Sequence, residues 1–212
     1  MKIILIRHAA PDFVWEKSYT SGGFEEACAA YDAAGIRDFA PDPFDVTGKA
    51  VYVSTLRRAK ETASLLFPGA DLQETDLLNE VPLSPSGESS SPRTYAYWLS
   101  KGRLQWFLND PRQKEGRKET IRRAEAAIDL IEKETKDVVL VSHGFFLNIL
   151  LKRLRKRGYV LARGGFGKID YLERIRATRR VDHCGACNHN CTLKNPGCGV
   201  GMDKARREGI IP

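Results

Sequence analysis

The chain lacks any apolar run near the roughly twenty residues that a bilayer-spanning helix needs. Its amino terminus carries one lysine and the short stretch IILI, too short for the apolar centre of a secretion signal, and no small-residue cleavage site follows. These absences predict a soluble, cytoplasmic protein with no membrane partner. No P-loop glycine–lysine pattern occurs, which argues against nucleotide binding of that type. No internal repeat is found. Acidic charge is in the minority, with 27 Asp and Glu against 34 Lys and Arg and a net charge of +7. A basic balance suits an anionic partner: a phosphorylated small molecule, a nucleic acid or a membrane surface. Cysteine is almost missing from the body of the chain. Of the five, only Cys28 precedes residue 184.

What is present is enough for a core. The 212 residues are 42% hydrophobic, consistent with one large domain or one domain plus an appendage. KIILI (2–6), AVYVS (50–54) and DVVLVS (137–142) are continuous apolar runs, as in strands covered on both faces. Between them lie helical segments at 24–35, 56–67, 94–110 and 118–134, and another follows at 145–158. In the 118–134 segment Ala124, Ile128 and Ile131 mark an apolar side. Residues 38–48 and 81–92 are rich in Pro or Ser and read as loops, and 159–176 could add one or two edge strands. Strands alternating with helices imply an α/β fold, a three-layer sandwich around a mainly parallel sheet. The expected domain runs over residues 1–180, with a Cys-rich tail over 181–212.

Each of the three apolar strands ends in polar groups. The first delivers Arg7 and His8, the second Ser54 and Thr55 with Arg57 and Arg58 just beyond, the third Ser142, His143 and Gly144. Ligands of open α/β sheets bind outside the carboxyl ends of the strands. Two histidines and two or three arginines should therefore share one crevice. Arginine chelates phosphate oxygens in a fork and stays charged. A neutral imidazole is a competent nucleophile. The set points to phosphoryl transfer through a phosphohistidine, with cations neutralising the transferring group.

LIRHA (5–9), STLRRAKETA (54–63), LNE (78–80) and VSHG (141–144), in this order, resemble the histidine phosphatase superfamily, the phosphoglycerate mutase-like fold. The resemblance covers about residues 1–176. It implies that His8 is the phosphorylated nucleophile, that Arg7 and Arg58 bind phosphate, and that His143 binds and polarises the phosphoryl group. Glu80 would protonate the leaving oxygen. Arg57 falls on a variable position of the motif. This chemistry needs no cofactor. The implied activity is hydrolysis of a small phosphorylated metabolite. The glutamate and asparagine that follow the nucleophile in mutases are absent from RHAAPDF, which disfavours a cofactor-dependent phosphoglycerate mutase. A non-catalytic phospho-ligand or protein-binding module on the same scaffold is the third reading.

Three features stand apart. Lys152, Arg153, Arg155, Lys156 and Arg157 form a basic run at a helix end, where cations suit the dipole. No aromatic residues are interleaved with it, which argues against nucleic acid. Tyr95, Tyr97, Trp98, Trp106 and Phe107 read as core or lid packing. In the tail, Cys184, Cys187, Cys191 and Cys198 are spaced C-x2-C-x3-C-x6-C, with His183 and His189 nearby. Four thiolates satisfy tetrahedral zinc, so a structural zinc is expected there. An iron–sulfur cluster and free or disulfide-bonded cysteines are the alternatives. The residues are silent on oligomeric state.

Overall fold

In a computed structural model of the chain, residues 1–162, 167–179, 193 and 196–207 are described. The first strand, β1 (Lys2–Arg7), is followed by a two-residue strand β2 (Ser18–Tyr19) and helix α1 (Ser21–Ala33). Then come β3 (Ala50–Ser54), α2 (Arg57–Leu66), β4 (Leu72–Thr75), the short β5 (Arg93–Thr94) and α3 (Tyr95–Leu108). The chain continues through α4 (Arg117–Glu132), β6 (Val138–Ser142), α5 (Gly144–Lys156), β7 (Tyr159–Leu161), β8 (Arg174–Arg179) and α6 (Gly199–Arg207). The main sheet has the order β4-β3-β6-β1-β8-β7, and β2 pairs with β5 apart from it. Strands β4, β3, β6 and β1 run parallel, β8 pairs antiparallel with β1, and β7 pairs antiparallel with β8.

Every residue of β3 and β6 is buried, as a parallel strand covered by helices on both faces requires. Alternate side chains serve opposite layers. Ile3, Leu5, Tyr52 and Leu140 join α4 and α5 through Ala124, Ile128, Phe146 and Leu150. Ile6, Val51, Val53, Val139 and Val141 join α2 through Ala59, Ala63 and Leu66. A mixed α/β sandwich results, held by helices on both faces of one sheet. A third cluster, Tyr19, Phe24, Ala27 and Trp98, fastens α1 to α3 beside it.

Two parts of the sheet differ from the sequence-based expectation. Strand β4, LQET, has no apolar alternation because it is an edge strand whose side chains are partly or largely exposed. Its pairing with β3 supplies the strand character that its side chains do not. Strand β8 is not an edge: it lies between β1 and β7, with Ile175 and Ala177 buried and arginines outward. The basic run of α5 is also accounted for in part. Arg153 pairs with Glu125, and Arg157 pairs with Glu125, Asp129 and Glu132 across the α4–α5 face.

Candidate active site

Parallel pairing of β1 with β6 aligns Arg7 with Ser142. The His8 N–H then donates to the Ser142 carbonyl at 3.0 Å, carrying the ladder one residue past the strand. His8 and His143 are thereby brought together, with ring centroids 4.8 Å apart. Both are buried. His8 Nδ1 lies 2.6 Å from the Ala9 carbonyl oxygen. A carbonyl only accepts, so Nδ1 carries the proton and Nε2 keeps the lone pair. The turn that fixes this ring is held from α2: Ala9 N–H donates to Thr62 Oγ1 at 2.9 Å, and the same hydroxyl donates to the Arg58 carbonyl at 2.6 Å.

His143 is oriented by a chain of hydrogen bonds from β3. Asn79 Oδ1 accepts from the Thr55 N–H, which fixes the amide's orientation. Ser54 Oγ donates to that oxygen at 2.7 Å and so receives the proton on His143 Nε2, also at 2.7 Å. His143 Nδ1 is left buried with no hydrogen-bond partner among the described residues. Ser54 and Asn79 both fall inside the motifs read from the sequence, yet their role appears only when β3 and the 76–80 turn are placed beside β6.

The two arginines of the pair at the start of α2 separate cleanly. Arg57 is exposed and pairs with Glu61 one turn on. Arg58 is fully buried, and its guanidinium donates to the carbonyls of Tyr31 and Asp32 and to Asp32 Oδ1 at the end of α1. Arg7 is held by a turn that no sequence pattern announced. Its Nη1 donates to the Ile169 carbonyl at 2.5 Å, its guanidinium lies 3.8 Å from the Tyr171 ring centroid, and its carbonyl accepts from Leu172 N–H at 3.0 Å. Leu172 adopts a left-handed backbone, φ 62°, to close this turn. The Tyr171 ring also reaches to 5.8 Å from the His8 ring. The Nε atoms of Arg7 and Arg58, like His143 Nδ1, are buried without a partner among the described residues.

At Gly144 a Cβ would stand 3.0 Å from Arg7 Nε and 3.1 Å from Cζ. The glycine makes room for the guanidinium. Glu80 sits on the opening turn of α5, where its Oε1 accepts from Val81 and Phe146 N–H and its Oε2 from Phe145 N–H. A carboxylate at a helix N-terminus satisfies donors that the helix itself cannot. The turn bearing Asn79 and Glu80 is clamped by Ser142 Oγ, which donates to the Leu78 carbonyl, and by Arg123, which donates to the carbonyls of Leu77 and Asn79. Arg123 is itself paired with Glu115.

His8, His143, Arg7 and Arg58 thus stand together, with Glu80 on the wall of an adjoining cavity of about 920 Å³. Arg7, Gly144 and Tyr171 line the same cavity, while His8 lies beneath them. The electrostatics follow from this crowding. Burial, then the Arg58 charge, pushes His8 down to about 3, with Arg7 adding to the effect. His143 is lowered by burial and by its positive neighbours. Both rings are neutral near pH 7, and two fixed cations face them. Burial pushes Tyr31 up to about 12, so it stays a neutral phenol beside Arg58.

Of the cysteines expected to bind metal, Cys184, Cys187 and Cys191 lie outside the described residues. Cys198 is exposed just before α6. Among the described residues no group of three or more His, Cys, Asp or Glu side chains could hold a metal ion. No helix among them is long and apolar enough to cross a membrane.

The histidine electrostatics set a pH response. A histidine whose pKa falls on folding binds fewer protons folded than unfolded between about 3 and 6.5, so stability present above 6.5 is lost as pH drops through that window. The expected slope is up to about 1.4 kcal/mol per pH unit for each such ring. Urea unfolding at pH 7, 6 and 5 should show a shallower loss in His8→Gln than in wild type. Parallel losses in the two proteins would refute the assignment.

The model of the histidine phosphatase superfamily, branch 1, matches residues 3–164. Among solved structures, the chain is similar to a candidate alpha-ribazole-5'-P phosphatase from Escherichia coli, with 22% identity, TM-score 0.52, and coverage of 85% of this chain and 95% of that one. It is also similar to the mycobacterial glucosyl-3-phosphoglycerate phosphatase, with 18% identity, TM-score 0.52, and coverage of 82% and 88%. No curated protein sequence matches it. With the family model spanning most of the chain and both neighbours sharing its fold, the chain belongs to the histidine phosphatase superfamily.

Proposed function

We propose that the chain is a phosphomonoesterase that works through a phosphohistidine on His8. The observation that carries this reading is the set of buried polar atoms around His8. Arg7 Nε and Arg58 Nε are donors without acceptors, and His143 Nδ1 is a third unpaired nitrogen. Leaving such groups unpaired costs about 1–3 kcal/mol each, more when charged, and a phosphoryl group would supply acceptors for the two arginine donors, and for His143 Nδ1 once that nitrogen is protonated. In the first step the His8 Nε2 lone pair attacks phosphorus as the ester P–O bond breaks. The arginines stabilise the equatorial oxygens, and Glu80 passes a proton to the departing alkoxide. In the second step Glu80 takes a proton from water, whose oxygen attacks phosphorus. The P–N bond then breaks, returning neutral His8 and inorganic phosphate. Glu80 Oε2 has a single N–H partner and so keeps a lone pair for that proton. His143 must itself gain a proton to donate through Nδ1, because Nε2 is committed to Ser54. A bound dianion favours that protonation. Tyr171 lies over Arg7 and beside the His8 ring.

The resemblance in name of the neighbours to phosphatases supports hydrolysis, as does the absence of glutamate and asparagine after His8. The substrate is a phosphorylated small molecule. The test is phosphate release from sugar phosphates, nucleotides, phosphoglycerates and an aryl phosphate. Wild type should turn over at least one, and His8→Ala should lose at least about 10³-fold. A folded wild type inert on the whole panel, or an unimpaired His8→Ala, would overturn the proposal.

Gly144→Ala provides a sharper probe of the arginine. The new methyl displaces the Arg7 guanidinium, and kcat/KM should fall by about 10- to 100-fold. A variant as active as wild type would show that Arg7 does not act from this position.

For the tail, the proposal rests on spacing alone: Cys184, Cys187, Cys191 and Cys198 hold one structural zinc. Elemental analysis of the purified chain should give one zinc per molecule, lost in Cys184→Ser/Cys187→Ser. Zinc-free or iron-bearing protein would refute it.

A further inference from the structure

The cavity beside the candidate site is larger than a phosphoryl group requires, and its lining includes Arg103 as well as Arg7. Arg103 lies on α3, one residue after Gly102. A Cβ at Gly102 would come within 2.5 Å of the Leu83 side chain, so the glycine lets the 81–86 loop close against the helix and form one wall of the cavity. The Arg103 guanidinium stacks on Phe145 at 3.8 Å from the ring centroid. Its Nη2 donates to the Val81 carbonyl at 3.2 Å, whereas Nη1 is buried with no partner among the described residues. No carboxylate pairs with it there. Glu80 is near enough to be felt but forms no hydrogen bond or ion pair with it; its oxygens accept from three backbone N–H groups. Among the described residues the other buried or half-buried arginines around the site are accounted for: Arg58 by Asp32, Arg123 by Glu115, Arg153 by Glu125, and Arg7 by the phosphate-binding role proposed above.

A guanidinium taken from water without an anion is costly, and the cost falls when a ligand supplies one. Beside it the cavity wall is aromatic. Trp15 and Tyr95 stack with centroids 4.6 Å apart, and Tyr31 lies 5.1 Å from Trp15. Planar side chains of this kind receive planar ligand bodies, and the few polar groups in such a wall set specificity.

We infer that Arg103 is a specificity-determining residue, and that the preferred substrates are phosphomonoesters of a planar alcohol bearing a second anionic group. The phosphoryl end would sit at Arg7 and His8, the ring against Trp15 and Tyr95, and the second anion on the Arg103 fork. This inference rests on the phosphatase reading for its kinetics but not for its binding.

The probes are phenyl phosphate and its 3- and 4-carboxyl derivatives, assayed as matched ratios of kcat/KM in wild type, Arg103→Gln and Arg103→Lys. At least one carboxylated ester should exceed phenyl phosphate by about tenfold in wild type. That ratio should fall to near unity in Arg103→Gln, whatever the absolute rates, and be partly kept in Arg103→Lys. A ratio near or below one in wild type, or one unchanged in Arg103→Gln, would overturn the inference and leave the phosphatase reading standing. The same esters are titrated calorimetrically into the His8→Ala protein, with and without Arg103→Gln. An Arg103-dependent preference in binding, found with no hydrolysis by wild type, would sustain this inference and sink the phosphatase reading.

Discussion

The register between β1 and β6 is the constraint on which the site depends. Five parallel pairs, from Ile3 with Val138 to Arg7 with Ser142, bring two strand ends level, and the His8 N–H closes on the Ser142 carbonyl. A slip of one residue would turn Arg7, His8 and their neighbours to the opposite face, because side chains alternate along a strand. The register is enforced by the core: Ile3 and Leu5 must meet α4 and α5 while Ile6 meets α2. The chemistry at the strand ends therefore draws its precision from apolar packing several residues away.

Around that pair the protein assembles positive charge and then withholds water. Burial and Arg58 keep His8 neutral, and the Ala9 carbonyl assigns its proton to Nδ1, so the reactive nitrogen is chosen by a backbone atom. The supports are reciprocal. Thr62 holds Ala9 and bonds to the Arg58 carbonyl, Gly144 gives space to Arg7, and the turn at 169–172 clasps Arg7 from the other side. Glu80 closes the helix that follows His143, which ties the proposed proton donor to the strand end it would serve. Removing any one member leaves another polar group buried and unpaired, a more expensive state than a missing surface contact.

The neighbouring cavity follows a different logic. Beyond the motif residues Arg7, Glu80 and Gly144, its walls come from α1, α3, the 81–86 loop, α4 and the body of α5, stretches outside the family's motifs. Arg103, one of its cations, stacks on an aromatic ring rather than standing at a strand end. A common phosphoryl site with a variable adjoining wall lets one fold take different alcohols.

Much of this was legible in the residues. Continuous apolar runs in β1, β3 and β6 declare buried parallel strands, and the polar groups after them declare a site, because strand-end residues in such sheets share a crevice. The difference between Arg57 and Arg58 was also readable from the motif. Pairing partners were not. Strand β4 has polar side chains and exists because β3 offers it an edge, and β8 is an inner strand because it pairs with β1. The hydrogen-bond chain from Asn79 through Ser54 to His143 links residues 25 and 89 positions apart. Tyr171 and Arg103 carry no signal of their own. Local composition determined which segments could be strands and helices and which residue types stood at their ends. Tertiary structure alone decided which of those ends met, because register, burial and the pairing of buried charge arise between segments rather than within them.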